Sequence, residues 1–377
     1  MFYVYFRPFN LICNFFGLSK PTITVEGVSK NISSWLKLWS ILIVLALISS
    51  FCFLSNQYVN FDIKHNLQIV PDINDLIVNV LFIVINNMKS ERICMSLHQV
   101  FDNTFAHLNL DGKILKLFFI KMYFWFSLLT ITFLIFIIME IAHSYPPYIL
   151  LMRIPTFLSI LHLFMHLYLI LATMKLINDE LSTILTHKEK IKTVPDVDNN
   201  LGRILKYVTC PGIKFIDTEI LVQYDLKQLC SIYDNLSTSV QLLEKYHGLQ
   251  IFLSIWLMFT SAVVGVTVIV CKQVQILWLV IAKSTLPSVW CFVGCYINDQ
   301  LSREVDQTIT LIIKILIDYR CVPSRKPVLE TFKELVSNNR LQFTACSLFN
   351  LSYAMLLGTL LNVITYSIIL IQLFTTM

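Results

Sequence analysis

From Leu341 to Met377 the chain runs for 37 residues without an Asp, Glu, Lys or Arg. As one helix that run would reach roughly 55 Å at ~1.5 Å per residue, well beyond a ~30 Å hydrocarbon core. Only its second part is therefore expected to span a bilayer, with the first part buried in protein and Gly358 as the place where direction changes. Four further runs carry no charge: Leu38–Phe61, Met122–Met139, Ile154–Met174 and Tyr246–Cys271. Gln273–Asn298 has one interior charge, Lys283, and the short Ile73–Met88 contains Asp75. That makes seven spans. Charged residues are 14% of the chain, against roughly 25% in soluble proteins, too few for the polar skin of a soluble fold. The predicted fold class is an all-α membrane protein of seven transmembrane helices with long cytosolic helix extensions.

Lys and Arg fix the orientation. The N-terminal segment and the second, fourth and sixth connections hold 23 of them, whereas the alternate side holds Lys64, Arg153 and Lys272. Positive charge stays inside, which places the N-terminus in the cytosol and the C-terminus outside. The outer connections (Asp62–Asp72, the turn at 145–148 and a hinge at Lys272) are too short for an ectodomain, so an outside ligand must bind among the helices. On the inner side Leu229, Ile232, Leu236, Val240 and Leu243 alternate three- and four-residue spacing, as do Leu301, Val305, Thr308, Ile312 and Ile315. Such seams either pack within one chain or form a cytosolic oligomerisation platform. Pro195 to Asn200 read as a turn between these helices. The single domain 1–377 thus divides into spans one to four (34–174), a cytosolic anchor segment (175–247), spans five and six (248–298), a second cytosolic segment (299–340) and the last helix (341–377).

Several functions are disfavoured. A net charge of +5 without basic runs argues against nucleic acid. Ten cysteines show no CxxC pair, and no phosphate-binding glycine loop or nucleophile elbow occurs, so neither an enzyme nor a cofactor is expected. No signal peptide is read at the N-terminus. The sequons at Asn31, Asn235 and Asn350 all fall out of reach of glycosylation on this topology.

Three short motifs then converge. The last run reads Phe343-Thr-Ala-Cys346 and, further on, Thr365-Tyr366-Ser-Ile-Ile-Leu-Ile-Gln372-Leu373-Phe374. The N-terminus has Pro8-Phe9 followed by Phe16-Gly17-Leu18, and Tyr246-His247-Gly248-Leu249-Gln250 opens the fifth span. Together these resemble insect gustatory receptors, with Leu373 where that family has Phe and Tyr246-His247 replacing its usual approach to the glycine. The resemblance implies a tetrameric, ligand-gated, non-selective cation channel related to insect odorant receptors. It places the final helix around the pore and a binding pocket in the outer half, between the second and sixth spans.

On that reading Thr365, Tyr366, Ile369, Gln372, Leu373 and Phe374 form the pore and its outer gate, Gln372 as a polar ring backed by an apolar constriction. Lys283 lies ten residues, ~15 Å, into its span, too deep to snorkel. It sits either at the pocket floor with Ser284 and Thr285, or in a pair with a carboxylate such as Asp75 or Glu140. His162 and His166 share one face and line a polar pocket or join helices; no third metal ligand clusters with them. Trp256, Trp278 and Tyr168 would stack on a ring-shaped ligand or serve packing, and Asn79 and Asn86 are further contact candidates.

The expected function is a gustatory receptor of bitter type in a sensory neuron's plasma membrane. Its expected partners are a small-molecule tastant, membrane lipid and sister subunits, in a homo- or hetero-tetramer. An odorant-receptor-like channel and a seven-helix G-protein-coupled receptor are the alternatives.

Overall fold

Without water to bond to, a backbone inside lipid must satisfy itself, and helices do so within one segment. The computed structural model describes residues 3–18, 20, 23–24, 27–28, 34–58, 69–108, 112–142, 147–191, 226–270, 277–317 and 325–376. In chain order the helices are α1 (Tyr3–Phe15), α2 (Ser34–Tyr58), α3 (Ile69–Leu108), α4 (Gly112–Ala142), α5 (Pro147–Ile191), α6 (Leu226–Val270), α7 (Leu277–Ile317), α8 (Lys326–Asn338) and α9 (Tyr353–Thr376). Two short hairpins complete the described chain: β1 (Ile23–Thr24) with β2 (Gly27–Val28), and β3 (Thr344–Ala345) with β4 (Phe349–Asn350), both antiparallel.

Among the described residues, stretches within α5, α6 and α9 are long and apolar enough to cross a membrane, with shorter apolar stretches at Ser34–Ser49, Ile73–Met88 and Met122–Ile138. The expected sixth span begins in residues outside the described ones, as do the Lys272 hinge and the turn at Pro195–Asn200. α5 occupies the centre: its apolar window is 89% buried, clothed by α3, α4, α6 and α7. The last helix is its opposite, with 11% of its window buried and contacts confined mainly to α6 and α7.

Both inner seams are consumed inside the chain. Leu229, Ile232, Leu236 and Leu243 are fully buried, as are Leu301, Thr308 and Ile312, with Val240, Val305 and Ile315 nearly so. α6 packs on α3 and α7, and α7 on α5. A polar tie adds to it: Thr308 Oγ1 donates to Asn178 Oδ1 at 2.6 Å, while Asn178 Nδ2 donates to Glu304 Oε2 at 2.8 Å. The three-four repeat is therefore intramolecular packing, and these residues are not available as an oligomerisation platform.

The final run changes direction before Gly358, not at it. Leu341, Phe343 and Ala345 are buried, and the β3–β4 turn is made by Cys346 and Ser347, both left-handed with φ of 53° and 58°. Gly358 lies inside α9, where an added Cβ would meet nothing within 4 Å. A Cβ on Gly248 would come within 3.1 Å of the Cys346 backbone nitrogen, and a main-chain atom cannot swing aside. Gly248→Ala should therefore lower stability by about 1–3 kcal/mol through overpacking, read as a fall in melting temperature of the purified protein.

Candidate ligand cleft and polar face of the last helix

The cleft lies toward the end of the bundle where α3, α5 and α7 begin and α6 finishes. Asp75 and Asn79 from α3 and Arg153 and Thr156 from α5 line one wall; Leu257 of α6 and Leu286, Pro287 and Trp290 of α7 line the other. Including its mouth, it encloses about 280 Å³. Pro155 inside α5 and Pro287 inside α7 each remove one ladder donor.

Every polar group of the first wall is engaged. Arg153 pairs with Asp75, Nη2 at 2.6 Å and Nε at 2.7 Å from Oδ2. Asn79 Nδ2 donates to the Asp75 carbonyl at 2.6 Å, and Asn79 Oδ1 accepts from Thr156 Oγ1 at 2.6 Å and its amide at 3.2 Å. The Arg153 guanidinium also lies 5.1 Å from the Phe136 ring centre. Facing this wall, Trp290 leans on Phe157 and Phe133, which are themselves stacked at 4.1 Å. A polar wall thus stands opposite an aromatic one, which gives the cleft an amphipathic lining.

Trp290 also lines a second cleft of about 240 Å³, with Ile160, Phe164, Ile251, Ser254, Cys291, Gly294 and Leu351. Leu351 stands just before α9. Its carbonyl accepts from Asn298 Nδ2 at 2.7 Å, and Asn298 Oδ1 accepts the Phe343 amide at 2.8 Å. Thr344 donates its amide to Glu244 Oε1 at 2.7 Å. The hairpin ahead of the last helix is thus clamped to α6 and α7.

His162 and His166, expected to line a polar pocket or join helices, lie away from this cleft, and His162 on α5 is joined to His247 on α6. His162 and His166 are wholly buried further along α5, with His98 and His247 beside them. His247 Nδ1 must donate to Gln250 Oε1, so its Nε2 accepts from His162 Nδ1 at 3.0 Å. His166 Nδ1 donates to the His162 carbonyl at 2.7 Å. All three imidazoles can satisfy these bonds while neutral. Phe9 stacks on His162 and Phe6 meets His166 at a tilt, so the N-terminal helix closes the cluster. Among the described residues no group of three or more His, Cys, Asp or Glu is placed to hold a metal.

Lys20 completes this interior. It is wholly buried, and its Nζ donates to Asn86 Oδ1 at 3.3 Å and to the Tyr246 hydroxyl; Tyr246 in turn donates to Asn86 Oδ1 at 2.8 Å. Burial pushes the Lys20 amine below its ordinary range, and the same effect, aided by His166 and Lys20, holds the His98 imidazole down at about 3. Removing the phenol in Tyr246→Phe should cost about 1–3 kcal/mol, since Lys20 and Asn86 both lose a buried partner. A matching drop in melting temperature checks this.

The last helix carries two faces. Val363 and Ser367 are buried against α6, the latter donating to the Val263 carbonyl at 3.4 Å. At 3.6 residues per turn, Gly358, Asn362, Thr365, Ile369 and Gln372 fall on the opposite side, and all are exposed. Of the expected gate residues, Thr365, Ile369 and Gln372 thus share one seam. Tyr366 and Leu373 flank it, Tyr366 meeting Phe259 edge-on at 5.7 Å.

Among the described residues, Asn79 is the one expected ligand residue found in the cleft. Trp256 is 50% exposed and points away from the interior. The side chains of Trp278, Lys283, Ser284, Glu140 and Phe374 lie outside the described residues. Sequence reasoning missed Trp290, Arg153 and Lys20 as site residues, since each owes its place to partners distant in the chain.

No curated protein sequence matches the chain. Two solved structures of the insect olfactory receptor OR5 from Machilis hrabei match its fold over 98% of both chains. The complex with eugenol matches at 11% identity and a TM-score of 0.69; the other matches at 10% and 0.66. The long apolar stretches of α5, α6 and α9, the buried central α5 and this fold agree with the family model of the 7tm chemosensory receptors, which matches residues 6–373. The chain belongs to that 7tm chemosensory receptor family.

Proposed function

We propose that this chain is one subunit of a plasma-membrane channel opened by a small molecule and permeable to cations without strong selectivity. A ligand enters the cleft between the Asp75–Arg153 wall and Trp290, and α9 lines a pore shared by four subunits, with Gln372 and Leu373 at its narrow outer end. The observation that carries this is α9 itself, an apolar helix of which 11% is buried and whose exposed side bears Asn362, Thr365 and Gln372 in one seam. Polar groups in lipid need water or protein to face, and a pore supplies water. Cytosolic N-terminus and extracellular C-terminus follow the Lys/Arg bias.

Two ligand readings differ in what supports them. Thr365-Tyr366 and Gln372 favour a gustatory receptor for bitter-type tastants in a sensory neuron, alone or with sister subunits. The likeness to an olfactory receptor solved with eugenol favours an odorant-type ligand, small, aromatic and hydroxylated. The deciding experiment tags the C-terminus, stains intact cells, and records excised-patch currents to bitter compounds and to eugenol. Surface staining with ligand-evoked current in G-protein-free membrane is expected. A tag visible only after permeabilisation would end the channel reading.

A further inference from the structure

We infer that Asn362 forms a second polar ring inside the pore, a site where a partly hydrated monovalent cation is held between the vestibule and the Gln372 gate. This rests on the pore reading above. Asn362 is exposed, and its amide takes no hydrogen bond from the described residues. It lies nine residues into α9 and ten before Gln372, so ~14 Å from the start of the helix and ~15 Å from the gate. No end of the helix is near enough for so short a side chain to reach an interface.

Its direction is set by its neighbours. Val363, the next residue, is buried at 6%, and Ser367 is held at 1% exposure by its bond to Val263. Those two fix the packed side, and Asn362 points away from it with Thr365 one turn on. On one side of this seam the exposed residues are apolar, Leu360, Leu361, Ile364 and Ile368, and on the other it is bordered by Leu373 and Tyr366. An amide left in lipid at that depth would have no partner, whereas the flanking leucines and isoleucines suit lipid or neighbouring helices. The polar seam therefore turns to water.

Thr365 differs from Asn362 in what it offers an ion. Its hydroxyl donates to the Leu361 carbonyl at 3.0 Å, so its proton is committed to the helix. The Asn362 amide has both its oxygen and its NH2 uncommitted. Four copies at one level present four carbonyl oxygens, the hard neutral ligands that replace part of a cation's hydration shell. Neutral oxygens bind weakly enough to release the ion toward the gate.

The test uses the full chain purified and reconstituted in lipid vesicles, with thallium ion as the probe. Flux is measured for the parent and for Gln372→Ala, whose shortened gate side chain is expected to raise basal opening. Asn362→Leu in either background is expected to cut flux about tenfold by dewetting that level. Asn362→Asp should keep flux and make calcium block it at a concentration about tenfold lower, since four carboxylates hold a divalent ion. Size-exclusion profiles confirm that each variant assembles like its parent. Unchanged flux in Asn362→Leu together with unchanged calcium block in Asn362→Asp would overturn the ring while the pore reading stands. Flux at the level of protein-free vesicles in both the parent and Gln372→Ala would remove the pore reading, and the ring with it.

Discussion

Arg153→Ala should leave little receptor at the cell surface. The Arg153 and Asp75 side chains are each 8% exposed and meet at 2.6 Å. Removing the guanidinium takes the ion-pair partner from a buried carboxylate that lies beside Leu257, Leu286 and Trp290. Breaking a buried pair in this way costs about 3–5 kcal/mol, a large part of the ~5–15 kcal/mol that holds a typical domain together. Removing both charges is a different matter, because the desolvation penalty disappears with the attraction. The double variant Asp75→Leu/Arg153→Met should recover most of the parental melting temperature while changing which ligands act, since the cleft loses its polar wall. Surface biotinylation and thermal unfolding of detergent-purified protein read both effects. A parental melting temperature for Arg153→Ala would show that the pair contributes nothing.

That pair also explains what could and could not be read from the chain alone. Asp75 made Ile73–Met88 the weakest apolar run, because a carboxylate in a span is costly in isolation. Its partner lies 78 residues away on α5, and nothing local to either residue announces the pairing. Arg153 counted as an outer-side charge in the topology argument, and Lys20 as an inner-side one. Both are buried, the first in an ion pair and the second among Asn86 and Tyr246. Positive-inside counting uses where charge falls along the sequence and is blind to such burial.

Hydropathy has the same limit. The apolar windows of α5 and α9 have similar mean hydropathy, yet one is 89% buried and the other 11%. A lipid-facing leucine and a core leucine are alike in composition, so which helix stands at the centre is a matter of packing. Periodicity did better where water was the alternative: the inner seams at Leu229–Leu243 and Leu301–Ile315 are buried as their spacing required. What spacing left open was the partner, and α3, α5, α6 and α7 of the same chain supply it. The three short motifs were legible as text but not as a site. In space they adjoin, Phe9 against His162, His162 bonded to His247, and Gly248 beneath the backbone of Cys346.

Trp290 stands between two clefts, and Trp290→Ala should open them into one. Truncating a buried tryptophan costs about 3–5 kcal/mol, with the upper part of that range reached when neighbours cannot collapse into the space. Collapse is restricted here. Phe133 and Phe157 are locked in a stack at 4.1 Å, and on the other side Leu351 is tied through its carbonyl to Asn298. The vacated volume should therefore persist as an apolar cavity able to take a ring of matching size. Added indole is expected to restore part of the lost melting temperature in Trp290→Ala and to leave the parent unchanged. Failure of indole to rescue would mean that the walls close in. A parental melting temperature without indole would mean that Trp290 is not packed as described. Trp290→Phe keeps an aromatic wall against Phe133 and Phe157, so it should melt close to the parent while admitting bulkier ligands. The order of the three proteins in stability and in ligand size then reports on one residue. Because Leu351 lines the second cleft with Trp290 and lies two residues before α9, a shift of the Trp290 indole would act beside the start of the last helix.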